Sequence, residues 1–317
     1  MQLTSEQLKD IYFGAFTIEE AADGYLQAFQ YNKNQMEYFK RTSEFFYDRC
    51  KASTAKTLEF RTKATKVSFD YKIIWIGSYD SVELCINGLI TEIRYIKDLD
   101  KEGTISFDLP SGDKDVRIYL AADATMLIKN LSINDTYVPA TKETKVLWIG
   151  DSITQGFGPL RSAHTYVSAA NRLLNYDIVN QGIGGYVYDK NALVPMEGYK
   201  PDKIIIAMGT NQYGCETMKD IEDYYVRLKE VYGDIPVLCV TPLWRGDGQS
   251  ADSVETLERF CGNLKDIVAK YPNITVVDGF KLVPHLPEYF LDNLHPNCLG
   301  TEIYARNLVE EIRRTGF

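Results

Sequence analysis

A chain of 317 residues carrying 35 basic and 44 acidic side chains has a formal net charge of −9, which argues against nucleic acid or an anionic membrane as a partner. The apolar share of 45% is that of an ordinary globular protein, and no run approaches the ~20 apolar residues needed to span a bilayer. The length exceeds what one hydrophobic core commonly serves, so two domains are expected.

The amino terminus, MQLTSEQLKD, has neither a basic segment nor an apolar one after it. It does not read as a secretion signal, and a cytoplasmic location is expected. The six cysteines include no Cys-x-x-Cys pair. They are expected to be reduced thiols rather than a disulfide framework or a zinc site.

Two short helices are expected near TSEQLKDIY and NKNQMEYFKR. From there to about residue 140 the chain reads as strands. TLEFRT, KVSFDYKIIWIG, SVELCING, TISFDL and VRIYLAA are short and rich in β-branched and aromatic residues, with turn clusters SYDS, NG and PSGDKD between them. This spacing predicts an antiparallel β-sandwich, jelly-roll-like, over 1–140. PATKETK, from Pro139 to Lys145, reads as a linker.

After Lys145 strands and helices alternate. KVLWIG, YDIVNQG, DKIIIAMG, IPVLCV and ITVVDG are strands. SAHTYVSAANRLLN, MKDIEDYYVRLKEVYG, SVETLERFCGNLKDIVAKY and a segment from Leu299 to Arg313 are helices. Such alternation predicts an α/β domain over 145–317, with a flavodoxin-like parallel sheet and helices on both faces.

The unusual residues fall at the ends of those strands. Ser152 follows the first, and Gly182, Gly184 and Gly185 close the second. Asn211 follows the third, while Asp292 and His295 precede the last helix. In a parallel sheet the carboxyl ends of all strands share one edge, where ligands bind. A serine hydroxyl is a weak nucleophile that needs a base. His295 is the candidate, with Asp292 three residues earlier and both on one face of a helical turn. The aspartate would then fix the imidazole tautomer and stabilise the imidazolium. Acyl transfer also needs donors for the oxyanion, and the Ser152 N–H, a glycine-turn N–H and the Asn211 amide can supply them.

The ordered set GDSIT, N-x-G-x-G-G, GTN and D-x-x-H, from Gly150 to His295, resembles the SGNH hydrolases, or GDSL esterase family, over 145–317. The resemblance implies Ser152 as nucleophile, His295 and Asp292 as its triad partners, and an oxyanion hole of Ser152, Gly185 and Asn211. Gly184 is the rival for the glycine. Many relatives have aspartate after the asparagine, where this chain has Gln212, so Gln212 receives no catalytic role. The amino-terminal part resembles the jelly-roll domain of the carbohydrate esterase family 2 acetylesterases. No cofactor or metal is implied.

Competing motifs fall away. QGIGGYV has Val187 where a dinucleotide loop needs its third glycine. Ser53–Lys56 and Ser111–Lys114 lack the partners of a Ser-x-x-Lys enzyme, and no G-x-S-x-G elbow occurs. His164 and His285 read as structural, and Asn297 as the cap of the last helix. Tyr186, Tyr188, Tyr213 and Trp244 follow strand ends and are candidate pocket-mouth residues; Tyr186, Tyr213 and Trp244 are singled out for substrate binding, with Arg245 available to a polar substituent. The expected activity is hydrolysis of short acyl esters, chiefly acetyl, of a small-molecule or oligosaccharide substrate. The alternatives are a lysophospholipase or thioesterase, and a carbohydrate-binding protein with an inactive hydrolase domain. The sequence carries no sign of oligomeric state.

Overall fold

Within KVLWIG, alternate residues point to opposite faces of a strand. Both faces here are apolar, so both must be covered. In the computed structural model the described residues are 1–213, 218–246 and 251–317, without the side chains of 251–255. Val146 and Trp148 join one buried cluster with Tyr166, Tyr304 and Leu308, from the helices Tyr166–Leu174 and Cys298–Thr315. Leu147 and Ile149 join the opposite cluster with Tyr225, Leu228, Phe260 and Leu264, from the helices Met218–Tyr232 and Ala251–Val268. Each fully buried aliphatic side chain of this kind contributes about 1.5–3 kcal/mol.

Five parallel strands make this sheet: Lys145–Gly150, Asp177–Gly182, Lys203–Ala207, Val237–Val240 and Ile274–Val277. Numbered along the chain, they lie in the spatial order 2-1-3-4-5. The direction of winding therefore reverses beside the first strand, which opens a crevice at the carboxyl ends of strands one and three.

The amino-terminal part forms two antiparallel sheets, one of six strands and one of five. Leu58, Phe60, Val82 and Ile118 from the first share a core with Val67, Phe69, Phe107 and Ile128 from the second. Strands Leu89–Tyr95 and Ala124–Ile133 extend what the sequence pattern predicts. So does the helix Glu44–Arg49, which follows Lys33–Thr42 after the shared cap residue Ser43.

These two helices pack against the carboxy-terminal part. Tyr31 and Phe39 pack with Ile183, Tyr186 and Ala192 beyond the second parallel strand, and the Tyr31 hydroxyl donates to the Gln181 carbonyl at 2.8 Å. Further polar contacts join the two parts. Glu59 pairs with Arg117 and with Lys142 of the linker at 2.9 and 3.0 Å, and Arg161 pairs with Glu83 at 2.6 Å. Among the described residues no helix is long and apolar enough to cross a membrane. Five described cysteines are free; Cys215 lies outside the described residues.

Candidate active site

The first parallel strand ends at Gly150, and the chain turns at once into the short helix Ser152–Gln155. Asp151 caps that helix, its carboxylate accepting the Ile153 N–H at 3.1 Å. Burial pushes the Asp151 carboxyl up to about 7. The helix passes directly over the end of the second strand. A Cβ at Gly182 would lie 2.3 Å from the Gln155 nitrogen, so the close approach requires glycine there. Asn180 locks the crossing, donating to the Thr154 carbonyl at 2.8 Å and to the Thr54 hydroxyl at 2.9 Å.

Ser152 is 9% exposed, and its Oγ lies 2.8 Å from Nε2 of His295. His295 Nδ1 lies 2.8 Å from Oδ2 of Asp292. An ionised carboxylate can only accept, so Nδ1 carries the ring proton and Nε2 is left to accept from the serine hydroxyl. Partial burial pushes the Asp292 carboxyl up, but hydrogen bonds from the His295 N–H and ring and from the Leu294 N–H outweigh it and hold the group below the usual carboxylate range. Aspartate and histidine do not sit on a helical turn, as their spacing predicts. Residues 291–296 form a tight loop closed by the Leu291 N–H to His295 carbonyl bond at 2.8 Å. Asp292 Oδ1 folds it by accepting the N–H groups of Leu294 and His295 at 3.2 and 2.8 Å. The aspartate thus shapes the loop with one oxygen and holds the ring with the other. The Phe157 ring meets the imidazole edge-on, with centroids 4.6 Å apart. Asn297 caps the last helix as expected, accepting from Leu299 and Gly300.

The glycine turn after the second strand is tied to this group. The Gly184 N–H donates to Gln155 Oε1 at 2.6 Å, and Gln155 Nε2 in turn donates to the buried Asp123 carboxylate of the amino-terminal part. Gly184 therefore spends its N–H on structure. The Gly185 N–H has no acceptor among the described residues, and its φ of +75° is the left-handed conformation that favours glycine. Of the two rivals, only Gly185 has a free donor. Asn211 Nδ2 donates to the Tyr186 carbonyl at 2.9 Å, which fixes the amide and leaves its second hydrogen unspent. Gln212 binds the two blocks together by accepting the Tyr188 N–H at 2.7 Å.

The aromatic candidates separate. Tyr186 is 4% exposed, its ring packed edge-on by Phe39 and Phe46; burial gives that ring to the core, not to a pocket mouth. Tyr188 is likewise buried, against Tyr224 and Tyr225. Tyr213 is half-buried under the Arg245 guanidinium, 4.9 Å from the ring centroid. Arg245 also donates to the Thr210 carbonyl at 2.8 Å, so it is held by the protein. Trp244 stacks on His285 with centroids 5.4 Å apart and meets Phe290 at its side. His285 also reaches the Phe280 carbonyl at 2.8 Å, in keeping with a structural histidine. His164 is half-buried, and its burial lowers its pKa. Phe157, Gln155, Asn180 and Asp123 received no role from sequence. Only Asn180 carried a signal, as the first residue of N-x-G-x-G-G. Among the described residues no cluster of three histidine, cysteine or acidic side chains could hold a metal ion.

Fold and site together define a class: an α/β domain with a hydrogen-bonded serine, histidine and aspartate at the switch point of a parallel sheet. Residues 148–303 match the GDSL-like Lipase/Acylhydrolase family, so the carboxy-terminal part is a domain of that family. Solved structures share the whole architecture. A GDSL-like lipase of Bacteroides ovatus, itself assigned only provisionally, is 16% identical, with 99% of this chain and 97% of that one aligned at a TM-score of 0.79. A salicylyl-acyltransferase from a tetracycline biosynthetic pathway is 19% identical over 96% and 94%, at 0.73. A family two carbohydrate esterase of Clostridium thermocellum, solved with cellohexaose, is 13% identical over 96% and 98%, at 0.69. At these identities the likeness is one of fold. A sequence search of curated proteins found no match.

Proposed function

We propose that the protein is a serine esterase that removes short acyl groups, chiefly acetyl, from a carbohydrate. The observation that carries the reading is the unbroken relay from Ser152 Oγ through both ring nitrogens of His295 to Asp292, at 2.8 Å on each side. In this reading Ser152 Oγ attacks the ester carbonyl carbon while its proton passes to Nε2. The carbonyl electron pair moves onto oxygen, where the Ser152 and Gly185 N–H groups and the Asn211 amide receive it. Each such donor is worth about 3–4 kcal/mol of barrier. The imidazolium then protonates the departing alcohol as the carbonyl re-forms. Water, deprotonated by the same nitrogen, releases the carboxylic acid from the acyl-serine.

The choice of a small acyl group is supported by the wall beside the glycine turn. A Cβ at Gly185 would lie 3.5 Å from the Phe45 ring, and one at Gly184 would lie 3.2 Å from Arg49 Nε, so the helix Glu44–Arg49 crowds that turn. Carbohydrate is supported by the shared architecture of the cellohexaose-bound esterase; Trp244 and Tyr213 stay the candidate platforms for a sugar ring.

The test is an acyl-chain series of 4-nitrophenyl esters together with acetylated sugars. The expected outcome is kcat/KM falling from acetyl to octanoyl, with sugar acetates turned over. Octanoyl esters outrunning acetyl esters, with inert sugar acetates, would instead favour a lysophospholipase or thioesterase. No turnover of any ester, with carbohydrate still bound, would favour an inactive hydrolase domain.

A further inference from the structure

The protein is acidic overall, with 44 acidic side chains against 35 basic ones, yet it sets one guanidinium against its glycine turn. Arg49 closes the short helix Glu44–Arg49, and its side chain lies along Gly184. The guanidinium carbon sits 3.4 Å from the centroid of the Phe45 ring and 5.5 Å from that of Trp75. Phe45 is 50% exposed, and Trp75 and Arg49 are half-buried. Five N–H donors are available to an arginine. Among the described residues one of them is used, Nη1 donating to the Phe45 carbonyl at 3.2 Å, and Arg49 has no ion pair. Asp123, an acid that feels its charge, is 6% exposed and occupied by Gln155 and Ser78. The neighbouring Asp48 is paired with Lys51 at 3.0 Å.

A guanidinium held flat on aromatic rings keeps its donor edge pre-oriented, and that edge matches a carboxylate in two-point geometry. Ring stacking also lowers the hydration it must lose on binding. We propose that Arg49, flanked by Phe45 and Trp75, binds a carboxylate on the alcohol portion of the ester, so that the preferred substrate is the acetyl ester of an anionic alcohol such as a uronic acid. This rests on the esterase reading above. In the acetyl-ester reading the acyl group has no carboxylate to offer, which assigns the charge to the alcohol portion. The subsite belongs to the amino-terminal part and the triad to the carboxy-terminal part, so the recognition surface spans both.

The experiment compares 4-acetoxybenzoate with its uncharged methyl ester in wild type, Arg49→Gln and Arg49→Lys. In wild type the anion should be the better substrate. The ratio of kcat/KM values, anionic over neutral, should fall about 10- to 100-fold in Arg49→Gln, as expected for loss of a charged hydrogen-bonded pair, and less in Arg49→Lys. A neutral ester does not use the pair, so the methyl ester should lose less than the anion does. A purely structural Arg49 would lower both substrates together and leave the ratio unchanged, which would overturn the proposal. A second pair, monomethyl and dimethyl succinate, reads the acyl side; an arginine-dependent preference for the monoester there would overturn the placement on the alcohol. If wild type turns over the neutral ester and gains nothing from the charge, the subsite alone falls. If it turns over neither ester, the esterase reading falls and takes the subsite with it.

Discussion

Asp292 has two tasks, and each of its oxygens serves one. Oδ2 meets the His295 ring, while Oδ1 gathers two backbone N–H groups of the same loop. The carboxylate is partly exposed, at 45%, so water can take over some of the ring's orientation when it is lost. Nothing can replace the proton acceptor itself. His295→Ala is therefore expected to lower kcat by about 10⁴- to 10⁶-fold, and Asp292→Ala by roughly 10- to 100-fold less. Steady-state rates with 4-nitrophenyl acetate check the order; equal losses would mean that the aspartate does more than hold the ring. At this scale the grouping of Ser152, His295 and Asp292 was legible because the three residue types stand in blocks at strand ends. Tyr186 was not, because Gly185 turns the chain with a positive φ, and a sequence does not reveal to which side the next ring swings. Phe157 was hidden for a similar reason: its contact with His295 joins residues far apart in the chain.

The element that organises the site is the short helix Ser152–Gln155. Its first residue offers the hydroxyl proposed as nucleophile, and its last holds the glycine turn through Gln155 Oε1. Gln155→Ala should loosen the Gly185 N–H from its position without removing any group that touches substrate. The expected outcome is a drop in kcat of about 10- to 100-fold with KM nearly unchanged, the signature of an interaction made in the transition state. A rise in KM at constant kcat would assign Gln155 to binding instead. The five parallel strands and their helices were legible because each is a continuous apolar run or a strong stripe closed by turn residues. The short strands Tyr12–Phe13, Thr17–Glu20, Leu26–Phe29 and Tyr137–Pro139 of the amino-terminal part were not, nor were three longer elements. Leu89–Tyr95 lies at a sheet edge with little of it buried, so its alternation is weak. Ala124–Ile133 is broken by register shifts near Met126 and Ser132, which disturb the period of two. Glu44–Arg49 buries no residue fully, so six residues offered no apolar stripe.

Across the whole molecule, Asp80 is the group that most clearly couples stability to pH. It lies 3% exposed where the two parts meet, accepting the Asp123 N–H and the Ser162 hydroxyl. Burial pushes its carboxyl up to about 8, far above the ~3.9 of an unfolded aspartate. Between those values the native state holds a proton that the unfolded state has released. The contribution is therefore complete below the unfolded pKa and is lost as pH rises toward 8. Asp80→Asn keeps an acceptor and removes the titration. Denaturant unfolding at pH 5 and pH 8 should show wild type losing on the order of a few kcal/mol more than the variant over that interval. A parallel decline in both proteins would exclude Asp80 as the cause. Such coupling between the parts was not legible in sequence, because Asp80 and Ser162 belong to segments that read as separate domains.

The proposed function rests on activation of the Ser152 hydroxyl by His295. Intact-protein and peptide mass spectrometry after brief treatment with a fluorophosphonate tests it most directly, since only an activated hydroxyl displaces the fluoride quickly. One adduct per chain is expected, on the peptide containing Ser152, absent in Ser152→Ala and slowed at least about 100-fold in His295→Ala. An unlabelled wild type, an adduct on another residue, or equal labelling of wild type and His295→Ala would contradict it.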